Sequence, residues 1–192
     1  MVKGIKIIKY FIYYLVGNTI FRYKYDKKYL TSRWFYSKWH GIGAQGWEWV
    51  LKEISLGKLR QGRKVVWPSS PLCTIVGEGN IYFDPDDLNN FQSPGCYFQC
   101  AGDIILGRGT YIGPNVGIIT SNHDISDLNK HLAPQNVVIG ENCWIGMNSV
   151  ILPGVRLGNR TIVGAGSIVT KSFLEGNCII AGNPAKIIKK WV

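Results

Sequence analysis

The chain lacks any apolar run of the roughly 20 residues that a membrane-spanning helix requires. The apolar stretch nearest its start, YFIYYLV at 10–16, is cut short by Lys9 before it and by Asn18, Arg22 and Lys24 after it. A secretory leader would need a longer apolar core and a small-residue cleavage site. The sequence therefore reads as a cytoplasmic protein. It also lacks a Cys-x-x-Cys pair. Its five cysteines, an odd number, read as buried thiols of a reducing compartment and not as a disulfide frame. Histidine is scarce: His40, His123 and His131 are the whole supply. A zinc held by three imidazoles cannot be built from the two in the second half of the chain, so no metal is expected. Acid is nearly missing from the first third. Residues 1–64 carry 14 Lys and Arg against 3 Asp and Glu, while residues 65–192 carry 8 against 9. The formal net charge of +10 thus belongs to an N-terminal arm.

What the remainder has is a period. Residues 139–174 divide into six units of six: IGENCW, IGMNSV, ILPGVR, LGNRTI, VGAGSI and VTKSFL. Each opens on an aliphatic residue (Ile139, Ile145, Ile151, Leu157, Val163, Val169), and four place Gly second. The fifth place favours small or β-branched residues: Ser149, Val155, Thr161 and Ser167. A helix repeats near 3.6 and a half-buried strand at 2. A period of six fits short strands joined by tight corners, with the first residue of each unit pointing into a shared core. Leu106, Ile112 and Ile118 extend the frame upstream, and Ile75 and Ile81 begin it. The expected fold is mainly β, a parallel β-helix of hexapeptide repeats over residues 65–182.

The frame breaks after Ile118. The next member, Ile139, stands 21 positions on, which is not a multiple of six. The intervening SNHDISDLNKHLAPQN is polar and holds Pro134. Residues 122–137 therefore read as a loop thrown out of the coil, where sites on rigid scaffolds are commonly built. His123 stands where the coil ends and the loop begins. A neutral hydroxyl is a poor nucleophile toward a thioester, and a histidine of ordinary pKa near 6.5 suits the base such a transfer needs. His131 lies deeper in the loop and reads as solvated. No cysteine neighbours a histidine in sequence, which weighs against a covalent thiol route.

The repeats, the loop with His123 and the tail AGNPAK resemble the hexapeptide-repeat acyltransferases, specifically over about residues 97–187. The likeness is to the maltose, galactoside and xenobiotic acetyltransferase branch and to the O-acetyltransferases of bacterial surface-polysaccharide synthesis. The resemblance implies a left-handed coil, a homotrimer that shares each site between two subunits, and acetyl-CoA as donor. It implies His123, in a T-x-x-H stretch eight residues after Asn115, as the general base. It implies Trp144 and Gly146 along the pantetheine arm, with Ala165, Gly166, Lys171 and Lys186 completing a groove whose basic end meets the CoA phosphates. Corner geometry is the alternative for the glycines, and a solvated charge for the lysines. The oxyanion would be met by a backbone N–H or small hydroxyl, at Gly146 or Ser149. Acceptor contacts are expected from Asn115, Tyr97 and Gln99, although turn formation explains the Asn and Gly of this region equally well. The family's sugar enzymes carry an Asp upstream of the base. Here that place falls near Cys100 or Ala101, with Asp103 out of register. A glycan of a surface polysaccharide, or its lipid-linked precursor, is therefore expected as acceptor ahead of free galactosides or maltose. The alternative is a small molecule such as an antibiotic, a serine or an amino sugar.

The two ends complete the expectation. Ile5, Ile8, Phe11, Ile12, Leu15 and Val16 fall on one face of a helix over residues 2–21. GWEWVLKEISLG reads as a second helix stopped by Gly57. The basic, aromatic arm of residues 1–64 then caps the open first coil, or lays residues 1–40 on the inner face of the cell membrane, and both can hold. Nucleic acid is not expected, because the repeats point to acyl transfer. Asn183 followed by Pro184 reads as a helix start, so residues 183–192 are expected as a short C-terminal capping helix.

Overall fold

The computed structural model describes residues 8, 11–17, 19, 24–37, 42–57, 60 and 62–191. The period of six becomes a three-sided coil of short parallel strands. The first side stacks Thr74–Val76, Tyr97–Gln99, Gly117–Ile119, Val150–Ile151 and Ile168–Val169 in that order. The second stacks Ile81–Tyr82, Ile104–Leu106, Val137–Ile139 and Arg156–Leu157. The third stacks Tyr111–Ile112, Trp144–Ile145, Thr161–Val163 and Cys178–Gly182. Registers place like over like: Ile75, Phe98, Ile118, Ile151 and Val169 form one inward column. Leu106 pairs with Ile139, and Ile112 with Ile145. These side chains are buried. The frame break is also real. The chain leaves the first side after Ile119 and re-enters the second at Val137, so the excursion ends one residue earlier than expected.

The described part of the arm covers the first coil. Residues 11–17 are helical. The rest of the helix expected over 2–21 lies outside the described residues, apart from Ile8 and Thr19, which are also helical. The second expected helix is Gln45–Ser55, which ends at Leu56, just before Gly57. Its Trp47, Trp49 and Val50 join the same buried cluster as the coil's Trp67, Phe91 and Phe98. An aromatic chain makes the junction. Tyr29 stacks on Phe83 with centroids 5.1 Å apart, and Phe83, Phe91 and Phe98 continue inward at 4.5 and 5.3 Å. Glu53 fastens the helix polar-side. Its buried carboxylate accepts from Tyr25 Oη at 2.7 Å and Ser69 N at 3.1 Å, and pairs with Lys24 at 3.1 Å and Arg60 at 3.2 Å. Burial, reinforced by the Glu53 charge, holds the Tyr25 hydroxyl far above its usual pKa, so it stays a donor. A solenoid must close its ends, and this arm does so with aromatic surface and one buried charge cluster around Glu53.

The tail corrects the expected C-terminal helix. Cys178–Gly182 runs parallel to Thr161–Val163, the chain reverses, and Ala185–Lys190 returns as an antiparallel strand. The reversal passes through Gly182 at φ 106 and a cis Asn183–Pro184 bond. The physical reason lies in the sheet. The last rung leaves a row of unpaired N–H and C=O groups on its outer edge, and a returning strand satisfies them where a helix could not. Lys186, Lys189 and Lys190 are exposed on that new edge, a composition that discourages further strand addition.

Candidate active site

The excursion after Gly117–Ile119 is a zipped ribbon. Leu132 N donates to Asn122 O at 2.8 Å, Asp124 N donates to Lys130 O at 2.9 Å, and His123 bridges antiparallel to His131. Its root is tied to the coil by Gln135 N to Thr120 O at 2.7 Å and Ser121 Oγ to Leu132 O at 3.0 Å. At its tip the Ser126 hydroxyl and N–H hold the Asp124 carboxyl below its usual range, and Lys130 does the same for Asp127.

His123 Nδ1 lies 2.7 Å from Leu128 O, across the ribbon. A carbonyl oxygen only accepts, so Nδ1 carries the proton and Nε2 keeps its lone pair. The ribbon's own backbone thus fixes the tautomer a general base needs. His131 is exposed, as expected, and its ring also lies against that of His123. Its centroid is 4.2 Å from that of His123, with the planes 38° apart. His131 also borders a cavity of about 450 Å³ whose walls include Tyr97, Gln99, Glu78 and Gly77.

Of the expected acceptor residues, Tyr97 and Gln99 are therefore brought beside the histidine pair, but they differ in role. Tyr97 presents an exposed ring. Gln99 faces the coil exit: its Oε1 accepts from Thr120 N at 3.0 Å and Ser121 N at 2.9 Å, and its Nε2 donates to Ser121 O at 3.1 Å. Three bonds tie its amide to the two residues that lead to His123, and the second N–H of Nε2 has no partner among the described residues. Gln99 sits in register beside Ile119, the last rung before the exit, a contact between coils that the sequence spacing does not display. Asn115 is not brought to the site within one chain. It precedes Gly117–Ile119 and His123 follows it, so the two stand at opposite ends of a strand. Asn115 has φ 56 and donates Nδ2 to Oδ1 of Asn148 at 3.1 Å, itself at φ 59. Both are left-handed corner residues stacked on successive coils, a conformation Asn tolerates.

The expected donor residues also divide. Gly146 and Ala165 are consecutive rungs of one corner: a Cβ on Gly146 would sit 2.6 Å from Ala165 N. Gly166 N donates to Met147 O at 2.9 Å, and beyond Gly166 the space is open. Trp144 is 56% exposed on the adjoining side. Lys186 pairs in register with Ala181, whose Cβ abuts Gly164. These five line one corner. Lys171 does not join them. It follows Ile168–Val169 at the next corner, with its ammonium 6.0 Å from the Phe173 ring centre. The two oxyanion candidates are occupied: Ser149 is buried and donates to Gly164 O at 3.0 Å, and Gly146 N donates to Val163 O at 2.8 Å. All five cysteines are buried. Burial pushes the Cys100 thiol up to about 12 and raises Cys73, Cys96 and Cys143. Neutral thiols are weak nucleophiles. Among the described residues no group of three His, Cys, Asp or Glu could hold a metal ion.

A family model described as bacterial transferase hexapeptide (six repeats) matches residues 136–171. The putative colanic acid biosynthesis acetyltransferase WcaF of Escherichia coli (strain K12) is 36% identical over 149 residues, covering 76% of this chain and 77% of that one. The chain belongs to the hexapeptide-repeat acetyltransferases. The coil is that family's left-handed parallel β-helix. A galactoside O-acetyltransferase of Lactococcus lactis is 43% identical over 123 residues, 62% of this chain and 58% of that relative. This chain spans between 45% and 63% of the length of several such curated relatives. Among solved structures, a maltose O-acetyltransferase from Clostridium difficile 630 aligns with a TM-score of 0.46 at 28% identity, covering 72% of this chain and 73% of that one.

If Gln99 positions the approach to His123, Gln99→Leu strands the Ser121 amide and loosens the root of the ribbon, while Thr120 N keeps the backbone carbonyl of residue 99 at 3.2 Å. The lost amide partner costs about 1–3 kcal/mol. Hydrogen exchange should show faster exchange at Ser121 and through residues 120–124, with the rungs at Ile145 and Val163 unchanged. Unchanged exchange at Ser121 would remove the positioning role.

Proposed function

We propose that the protein transfers the acetyl group of acetyl-CoA to a hydroxyl of a sugar in a bacterial surface polysaccharide or its lipid-linked precursor, with His123 as general base. The observation that carries this reading is the Nδ1–H bond to Leu128 O, which leaves Nε2 free to accept a proton at the exit of a rigid coil. His123 Nε2 takes the acceptor's proton as the hydroxyl oxygen attacks the thioester carbonyl. The new C–O bond forms, the C–S bond breaks, and the imidazolium returns the proton to the departing CoA sulfur. The His131 ring packs against the base, and Tyr97 offers the acceptor an aromatic wall. The corner of Gly146, Ala165 and Gly166 would take the donor, with Trp144 along its arm and Lys186 toward its phosphates.

That corner and His123 occupy different corners of the same triangle. The working site is therefore shared between neighbouring subunits of a trimer, and Lys171 would reach a donor phosphate only across such a boundary. Exposed Tyr97, Ile105, Tyr111 and Trp144 give the coil sides the apolar surface that subunit packing covers. The relative named for colanic acid biosynthesis, matched over 77% of its length, favours a polysaccharide acceptor over an antibiotic, serine or amino sugar. In the same reading the arm rests on anionic lipid. Ile8, Phe11, Ile12 and Leu15 are all exposed at helical spacing, in a segment rich in lysine.

Two measurements test this. Thiol release from acetyl-CoA with a panel of glycan acceptors should depend on the acceptor and fall about 10²-fold or more in His123→Ala. Acceptor-dependent release that survives the substitution would remove His123 as base. In flotation with phosphatidylglycerol vesicles the full chain should rise with the lipid and a chain lacking residues 1–24 should not. Equal behaviour of the two would remove the membrane contact.

A further inference from the structure

A second cavity, of about 500 Å³, lies between the arm and the first coil. Its walls are Lys28 and Tyr29 of the short helix Lys27–Leu30, the segment 63–67, and Asn80–Phe83. Three cations line it, Lys28, Arg63 and Lys64, and no carboxylate does. Lys28 has one ion-pair partner, Asp26, at 4.0 Å. Neither Arg63 nor Lys64 forms an ion pair among the described residues.

Two buried donors make this more than a basic patch. Arg63 Nε and Trp67 Nε1 have no acceptor among the described residues, and both residues line this cavity. Unpaired buried N–H groups are uncommon because their lost hydration goes uncompensated. A guanidinium fork with flanking ammonium groups suits a phosphate. Beside the cations stand exposed Tyr82 and Val66, an apolar shelf for the C–H face of a sugar ring. Arg63 also links this cavity to the one beside His131. Its Nη1 donates at 2.9 Å to the carbonyl of Gly77, which lines that other cavity.

We propose that this cavity binds the phosphate of a phosphorylated sugar, so that the acceptor is a phosphate-bearing glycan whose hydroxyl-bearing end extends past Gly77 toward His123. The second half rests on the acetyltransferase reading; the binding itself does not. The phosphate could belong to a sugar, to a lipid headgroup or to free phosphate. The shelf beside the cations selects the sugar.

The test is calorimetric titration of the full chain with glucose 1-phosphate, glycerol 3-phosphate, inorganic phosphate and glucose. Glucose 1-phosphate should bind about tenfold or more tightly than the other three, and more weakly as salt rises. Arg63→Gln with Lys64→Gln should weaken it about tenfold or more. Lys28→Gln with Lys64→Gln, which keeps the Arg63–Gly77 bond, should weaken it in the same direction without changing the melting temperature. His123→Ala should leave it within about twofold, so loss of catalysis and loss of this site are read separately. Equal affinity for glycerol 3-phosphate or free phosphate would overturn the sugar assignment. Absence of binding, or binding indifferent to both double variants, would overturn the site.

Discussion

Each coil of this protein is locked to the next by a parallel ladder, and the ladder allows one rung spacing, about 4.8 Å. Much else follows from that spacing. A side chain pointing inward must stack on its counterpart one coil away, so one residue in six must be apolar, and Ile118 over Phe98 and Ile151 over Ile118 are the result. At the corners the backbones themselves meet, so Gly146 has no room for a Cβ beside Ala165. The ladder is interrupted between Ile119 and Val137, and there the chain is free to hold side chains outside the stack.

The same constraint makes the two ends a problem, because a ladder has open first and last rungs. They are closed by different physics. The first is covered by aromatic rings from the arm, with Glu53 gathering Tyr25, Lys24, Arg60 and Ser69 at the junction. The last is closed by a strand folded back on itself, whose lysines keep the new edge in water. The described basic residues of the first third therefore lie at one end of the coil, where Arg63 and Lys64 line the cavity.

The coil could be read from the sequence because the same side-chain type recurs at a fixed interval, and the loop because the interval fails there. The tail could not. Asn-Pro serves a helix start and a chain reversal alike, and Ala185–Lys190 shows no inside-outside alternation because it lies on an edge with five of its six residues exposed. His123 was legible as a residue at the exit of a rigid element. The roles of its neighbours were not, since they depend on contacts between coils that sequence spacing does not display. Spacing does not display that the Gln99 amide holds Thr120 and Ser121. Nor does it display that Asn115 has a left-handed backbone and pairs with Asn148, or that Ser149 is buried.

The chemistry assigned to this chain depends on one proton being in one place. The coil fixes the root of the ribbon, Gln99 fixes the residues before His123, and Leu128 O fixes the ring. If any of these fails, Nε2 is no longer a lone pair aimed at an acceptor. The most direct measurement is the ¹⁵N chemical shifts of the His123 ring in the whole chain, followed upward in pH until they stop changing and the ring is neutral. A protonated Nδ1 with an unprotonated Nε2 is the result this account predicts. A proton on Nε2 would contradict it and would leave the site without its base.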